Sequence, residues 1–264
     1  MPTVLVTGST AGLGRNLASR LAREGWTVLA HGRDLSRLFD LKKSLPLGAV
    51  ETYQAELSSP SDVRRLSEIV RHRHEELDVL VNNAAVGYGP PGGRREFAEG
   101  RHELRFAVNF LAPMALSELL IPLLEKAPQG RVVNVGSTNQ GYFDMTDTRL
   151  DHGYSGATAY RRSKTALAAG TFLLAERLRN SRVTVNCVHP ATRMDTAMVR
   201  DSGVVPTSSV ESGAEAVLRA VKHPKLANVT GEFFDGEQSV RAHEQCYDPN
   251  FRAWLADAVA RYQE

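Results

Sequence analysis

Cysteine is nearly absent from this sequence: two of 264 residues, Cys187 and Cys246. Two thiols cannot form a disulfide framework, and neither sits at a metal-ligand spacing. Reduced thiols in a cytoplasmic protein are expected. A charge excess is also missing, since 32 Lys and Arg face 30 Asp and Glu, a net +2. That excludes the charge imbalance by which a chain attracts nucleic acid or a membrane surface. The chain passes from Met1-Pro2-Thr3 straight into Val4-Leu5-Val6. No basic leader with an apolar stretch precedes them, so no signal peptide is expected. Nor is a membrane-spanning helix expected, because no unbroken run of about 18 apolar residues occurs. Repeats, low-complexity blocks and linkers are missing too.

What is present is a chain 42% hydrophobic, enough for a large core. Short apolar runs occur at Val4–Val6, Thr27–Ala30, Val50–Tyr53, Val79–Val81, Val132–Val135 and Val183–Val188, with a last one at Gly231–Phe234. They are continuous rather than alternating, as strands buried on both faces are. Between them the pattern predicts helices over Leu13–Glu24, Leu35–Ser44, Ser61–Glu76, His102–Glu125, Ala159–Arg179, Glu211–Val221 and Asn250–Tyr262. Strand–helix alternation implies right-handed crossovers and a parallel sheet. The prediction is one domain over residues 1–264, an α/β Rossmann-type doubly wound fold with a seven-stranded parallel sheet. Two stretches, about 138–158 and 191–210, read as substrate loops, and Gly87–Gly93 (GYGPPGG) as a surface loop.

After the first strand comes Thr7-Gly8-Ser9-Thr10-Ala11-Gly12-Leu13-Gly14, directly before a helix. Glycines there allow a tight turn and a close backbone approach to a pyrophosphate. The helix N-terminus adds partial positive charge. Further along stand Asn82-Asn83-Ala84-Ala85, Asn109, Ser137 after the fifth strand, and Tyr160-Arg161-Arg162-Ser163-Lys164. Tyr160 and Lys164 lie four apart and share a helix face. A free tyrosine titrates near 10, and a neighbouring ammonium favours the phenolate. That is the tuning a general acid–base needs.

In this order and context the motifs resemble those of the short-chain dehydrogenases/reductases: TGxxxGxG, NNAG, the helix asparagine, the serine and YxxxK. The resemblance spans nearly the whole chain. It implies that Tyr160 exchanges a proton with the substrate oxygen and that Lys164 lowers its pKa and holds the nicotinamide ribose. It implies that Ser137 binds the carbonyl or hydroxyl, while Asn109 holds a water that relays protons from Lys164. Cofactor contacts are implied at Gly8, Ser9, Thr10, Gly12, Leu13, Gly14, Arg33, Glu56, Leu57, Asn83, Ala84, Tyr160, Lys164, Pro190 and Thr192. No metal is implied.

NAD-preferring members carry an acidic residue at the end of the second strand. Here Gly32 stands there, followed by Arg33, which suits a 2′-phosphate, and NADP(H) is favoured over NAD(H). Asp34 reads as the N-cap of the next helix. Arg15 and Arg37 are equally phosphate contacts or solvated charges. Departures from the family pattern are Glu56 for aspartate, Ala85 for glycine, and Pro190-Ala191 for Pro-Gly. The threonine that follows is displaced to Thr196, with Thr192 as a second candidate. His189, His72 and His74 read as structural or solvated, and Arg94 and Arg95 as solvated charges or contacts to an acidic substrate.

The segment between Ser137 and Tyr160 is longer than in many members and is similar to that of retinol dehydrogenase-like ones. Its Tyr142, Phe143, Met145 and Tyr154 either roof a bulky apolar substrate or pack among themselves. Met194, Met198 and Val199 are substrate contacts or core. The tail Glu237–Asn250, with Trp254 beyond it, covers the site or meets another subunit. The reading is an NADP(H)-favouring carbonyl reductase or alcohol dehydrogenase acting on a bulky, mostly apolar small molecule. Its alternatives are a non-redox member of the family and a dinucleotide-binding regulatory protein. A homodimer or homotetramer through the helix bearing Tyr160 is implied by resemblance.

Overall fold

The computed structural model describes residues 1–264. Its strands are β1 (Thr3–Val6), β2 (Thr27–Gly32), β3 (Val50–Gln54), β4 (Val79–Asn82), β5 (Arg131–Val135), β6 (Thr184–His189), β7 (Phe233–Asp235) and β8 (Gln238–Ser239). They form one sheet in the order β3-β2-β1-β4-β5-β6-β7-β8. The seven predicted strands are parallel, as expected. An eighth, antiparallel strand returns from β7 through Gly236, which takes φ +58. This two-residue strand carries too short an apolar pattern to be read from sequence.

Successive strand residues point to opposite faces, and the valines and leucines divide accordingly. Leu5, Leu29, Leu80, Val132 and Val185 join a core of 41 residues. Val4, Val28, Val79, Val133 and Val188 join a second core of 26. The larger core is covered by α3 (Pro60–Arg73), α4 (Leu104–Leu124), α5 (Gly156–Arg177) and α8 (Pro249–Gln263). The smaller is covered by α1 (Gly12–Arg23), α2 (Leu35–Lys43) and α7 (Val210–Lys222). A single turn, α6 (Ala197–Asp201), lies in the second loop.

Helix caps follow the residue chemistry. Asp34 accepts from the Ser36 and Arg37 amides and starts α2, as expected. Ser155 and Ser209 cap α5 and α7 in the same way. α4 is long and apolar enough to cross a bilayer by length and composition, and 78% of its apolar window is buried inside the fold.

The crossing from β1 to β4 is where the strand order reverses, and its carboxyl edge is where open α/β sheets bind ligands. All the motifs read from the sequence lie at this edge.

Candidate active site

The glycine loop is built for close approach. Gly8 and Gly12 take φ +68 and +49. A Cβ on Gly14 would lie 2.2 Å from the Gly8 carbonyl oxygen, so only glycine fits. Ala11 opens α1 with no side-chain cap, leaving first-turn N–H groups free to meet an anion. The loop is held from behind. Asn83 Nδ2 donates to the carbonyls of Thr7 (2.8 Å) and Gly8 (3.3 Å), and Thr7 Oγ1 accepts from the Asn83 and Ala84 amides.

The Asn83 side chain therefore braces the glycine loop. Ser9 departs from expectation: its side chain is buried and donates inward to Val6, while its amide donates to the His31 carbonyl. Leu13 and Leu57 are core residues and offer a cofactor only backbone.

His31 was not read from the sequence as part of this assembly. It is buried under the loop, where Nδ1 accepts from Gly8 N (3.2 Å) and Nε2 faces the Ala55 carbonyl (3.1 Å). Accepting at Nδ1 requires the neutral ring with its proton on Nε2. Burial pushes its pKa down to about 4. Two neighbouring strands are thereby tied to the phosphate loop.

At the adenosine end, Gly32 has Thr10 against it. A Cβ there would lie 2.6 Å from Thr10 Cγ2. Arg33 is exposed and 3.6 Å from Glu56. Glu56 also accepts from Ser58 N, and Asp62 accepts from the Glu56 amide. Arg15 is exposed, and Arg37 pairs with Asp34.

The catalytic candidates converge at the ends of β5 and α5. Ser137 is buried and its Oγ accepts from Asn139 N at 3.0 Å. Lys164 is buried and its Nζ donates to the Val135 carbonyl at 2.8 Å. It lies 5.7 Å from the centre of the Tyr160 ring. Burial lowers the Lys164 pKa to about 8. Burial and the neighbouring Tyr88 phenol raise that of Tyr160, and the Ser137 hydroxyl partly offsets the rise. Burial, rather than the expected lowering by Lys164, governs Tyr160 here.

Asn109 sits in a π-helical turn (Ala107–Leu111) within α4. Its Oδ1 accepts from Val86 N (2.7 Å), and its Nδ2 donates to the Val86 carbonyl and to Ser163 Oγ, each at 3.0 Å. The side chain is committed to the segment leaving β4.

One turn earlier on the same helix, Arg105 continues that grip. Its Nε donates to the Gly87 carbonyl (2.7 Å), its Nη2 to the Tyr88 carbonyl (3.1 Å) and its Nη1 to Tyr154 Oη (2.9 Å). Glu103 pairs with it at 3.1 Å, both side chains being 3% exposed or less. The pair holds Tyr88 edge-to-face against Tyr160, with ring centres 4.6 Å apart. Sequence reasoning named the GYGPPGG loop but missed Tyr88 and Arg105. The available signal was the spacing of Arg105 and Asn109, four apart on one helix face.

The loop 138–158 does not roof a substrate with Phe143. That ring is 1% exposed and packs among Phe106, Phe251 and Trp254. Gln245 clamps its backbone at both N–H and C=O. Arg95 pairs with Asp151 and donates to the carbonyls of Arg149 and Leu150, so it anchors this loop and is not a free charge.

The second loop leans over the cleft. Thr196 lies against Gly12 and Met198 against Gly87, while Met194 packs at Gly213. Thr192 bonds to His189 (3.1 Å) and is structural, which leaves Thr196 as the threonine at the glycine loop. Pro190 packs beside Gly213. Far away, His74 is not solvated but bonds to Tyr53 Oη at 2.8 Å.

Residues 2–204 match the family model described as short chain dehydrogenase. The chain belongs to the short-chain dehydrogenase/reductase family. Among curated members, this short-chain dehydrogenase is 29% identical to mouse retinol dehydrogenase 13, over 97% of this chain and 82% of that one. It is 34% identical to mouse polyprenol dehydrogenase, over 88% and 75% of the two chains. In structure it resembles an uncharacterised Mycobacterium paratuberculosis protein, with TM-score 0.82 and 26% identity over 100% and 93% of the two chains. It also resembles a Pseudomonas aeruginosa RhlG/NADP active-site complex, with TM-score 0.73 and 25% identity over 89% and 95%.

Proposed function

We propose that this short-chain dehydrogenase is an NADP(H)-linked reductase of bulky, mostly apolar carbonyl compounds, or a dehydrogenase of the matching secondary alcohols. The observation that carries the reading is the meeting of Ser137, Tyr160 and Lys164 beside an uncapped helix N-terminus. The glycine cradle fits a pyrophosphate, because Gly14 leaves no room for a side chain and α1 leaves its first N–H groups unspent. Bound nicotinamide would supply or accept the hydride.

Three features support NADP(H). Gly32 stands where the usual acidic partner of an NAD ribose would be, and a Cβ there would press to 2.6 Å from Thr10 Cγ2. Arg33 stands exposed at the same edge. Its exposed pairing with Glu56 contributes about 1 kcal/mol at most and yields readily to a phosphate. RhlG, the relative of similar fold, is complexed with NADP.

Tyr160, raised by burial, is protonated at neutral pH and suits the role of proton donor to a carbonyl oxygen. The Ser137 hydroxyl, already accepting from Asn139 N, has its proton to donate to the same oxygen as charge grows there. Lys164 places a cation beneath the ring, where it favours the phenolate that proton donation leaves. Relatives named for retinol and polyprenol support a bulky, mostly apolar substrate. Met198 at the mouth supplies an apolar contact.

Titration of NADPH and NADH into wild type and Arg33→Ala tests the cofactor assignment. NADPH is expected to bind more tightly. Losing one charge-assisted contact of about 1.5–3 kcal/mol should weaken NADPH by roughly 10- to 100-fold and leave NADH nearly unchanged. Equal loss for both nucleotides would contradict it.

A further inference from the structure

Beside Ser137 and Tyr160 stands a third hydroxyl. Tyr88 Oη accepts a hydrogen bond from Asn139 Nδ2. The main-chain N–H of the same Asn139 donates to Ser137 Oγ at 3.0 Å. One residue thus occupies an acceptor position on two hydroxyl oxygens. A hydroxyl that already accepts turns its own proton toward whatever else is near. Tyr88 Oη has no second hydrogen-bond partner in the protein. The Tyr88 ring stands edge-to-face with Tyr160, and its phenol is close enough to raise the Tyr160 pKa.

The position of Tyr88 is fixed with unusual care for a residue in a glycine-rich loop. Arg105 holds the carbonyls of Gly87 and Tyr88. At Gly156, a Cβ would lie 1.9 Å from the Tyr88 carbonyl, so α5 can approach the loop only through a glycine. Fixed, oriented donors are what a site uses to bind an oxygen selectively.

We propose that Tyr88 is a second substrate-oxygen donor, selecting carbonyl compounds that carry another oxygen acceptor next to the reacting carbonyl. Vicinal diketones, ortho-quinones and α-hydroxyketones have this pattern, whereas simple ketones do not. This rests on the reductase reading above and narrows its substrate class. In it, Ser137 and Tyr160 serve the oxygen being reduced, Tyr88 serves its neighbour, and Asn139 is a positioning residue for both hydroxyls.

The test compares two ketones of nearly equal size, acenaphthenequinone and acenaphthenone, each with NADPH, in wild type, Tyr88→Phe and Asn139→Ala. Tyr88→Phe keeps the ring and its packing and removes only the hydroxyl. The quantity read is the ratio of kcat/KM for the dione to that for the monoketone. A site that hydrogen-bonds an oxygen discriminates strongly against an analogue without it. The ratio is expected to fall tenfold or more in Tyr88→Phe, and in the same direction in Asn139→Ala, with NADPH affinity unchanged. An unchanged ratio in Tyr88→Phe, including one in which both substrates slow equally, would overturn the proposal while leaving the reductase reading intact. Failure of wild type to oxidise NADPH with either compound or with any other carbonyl would instead overturn the reductase reading, and this proposal with it.

Discussion

Replacing Arg105 by methionine removes the cation from a buried pair and releases the loop that carries Tyr88. Arg105 and Glu103 are each 2% exposed. Arg105 donates to two loop carbonyls, to Tyr154 and to Glu103. Glu103 also accepts from the Arg105 and Phe106 amides and so caps α4. Breaking a buried ion pair from one side costs about 3–5 kcal/mol, because the remaining charge stays desolvated. In a chain of this size each kcal/mol moves Tm by about 2–4 °C, so Arg105→Met should melt roughly 6–20 °C lower.

Burial already raises the Glu103 pKa even with Arg105 present. Without the cation it rises further, so the carboxyl can escape its penalty by taking a proton. The defect should therefore shrink as pH falls toward the carboxylate range. Adding Glu103→Gln keeps a cap acceptor and removes the charge, so the double variant should be more stable than Arg105→Met alone. Urea unfolding of the four proteins at two pH values gives the cycle. A loss under about 1 kcal/mol for Arg105→Met, or a double variant less stable than the single, would refute the reasoning.

His31 predicts an acid-side loss of stability. Its folded pKa near 4 lies below its free value of 6.5, so below 6.5 the unfolded chain binds the extra proton. Stability should fall by about 3 kcal/mol as pH drops from 6.5 to 4, at about 1.36 kcal/mol per pH unit, and His31→Gln should lack this component in urea titrations at stepped pH. Gly32→Asp should fail to convert the enzyme to NADH unless Thr10 is also reduced to glycine, which kinetics with both nucleotides will show. Assembly is a further point. α8 packs against α5, and we propose that this keeps the chain from associating through α5. Light scattering should find the same assembly state in wild type and in variants at exposed α5 residues, and a dimer that dissociates on mutation of those residues would contradict this.

The parallel sheet was legible because its strands are buried on both faces, which leaves continuous apolar runs in the chain. The glycine loop was legible because glycine at those positions answers a backbone requirement. Ser137, Tyr160 and Lys164 were legible by spacing and order. Tyr88, Arg105 and His31 were not, because each acts through partners distant in sequence. Arg105 reaches back to Gly87 and forward to Tyr154, and His31 meets Gly8 and Ala55 only once the strands have paired. Ser9 shows that a motif fixes position but not the direction of a side chain, since its hydroxyl turns inward to Val6. Phe143 went to the core because Phe251 and Trp254, near the far end of the chain, fold over it.

The central claim is that Tyr160 protonates a carbonyl while NADPH is oxidised. The most direct measurement is NADPH consumption by wild type and Tyr160→Phe with a bulky ketone or quinone, alongside NADPH affinity for both. The account predicts turnover in wild type and a loss of roughly 100- to 10,000-fold in Tyr160→Phe, the range of a general acid, with cofactor affinity retained. Undiminished turnover in Tyr160→Phe would contradict it.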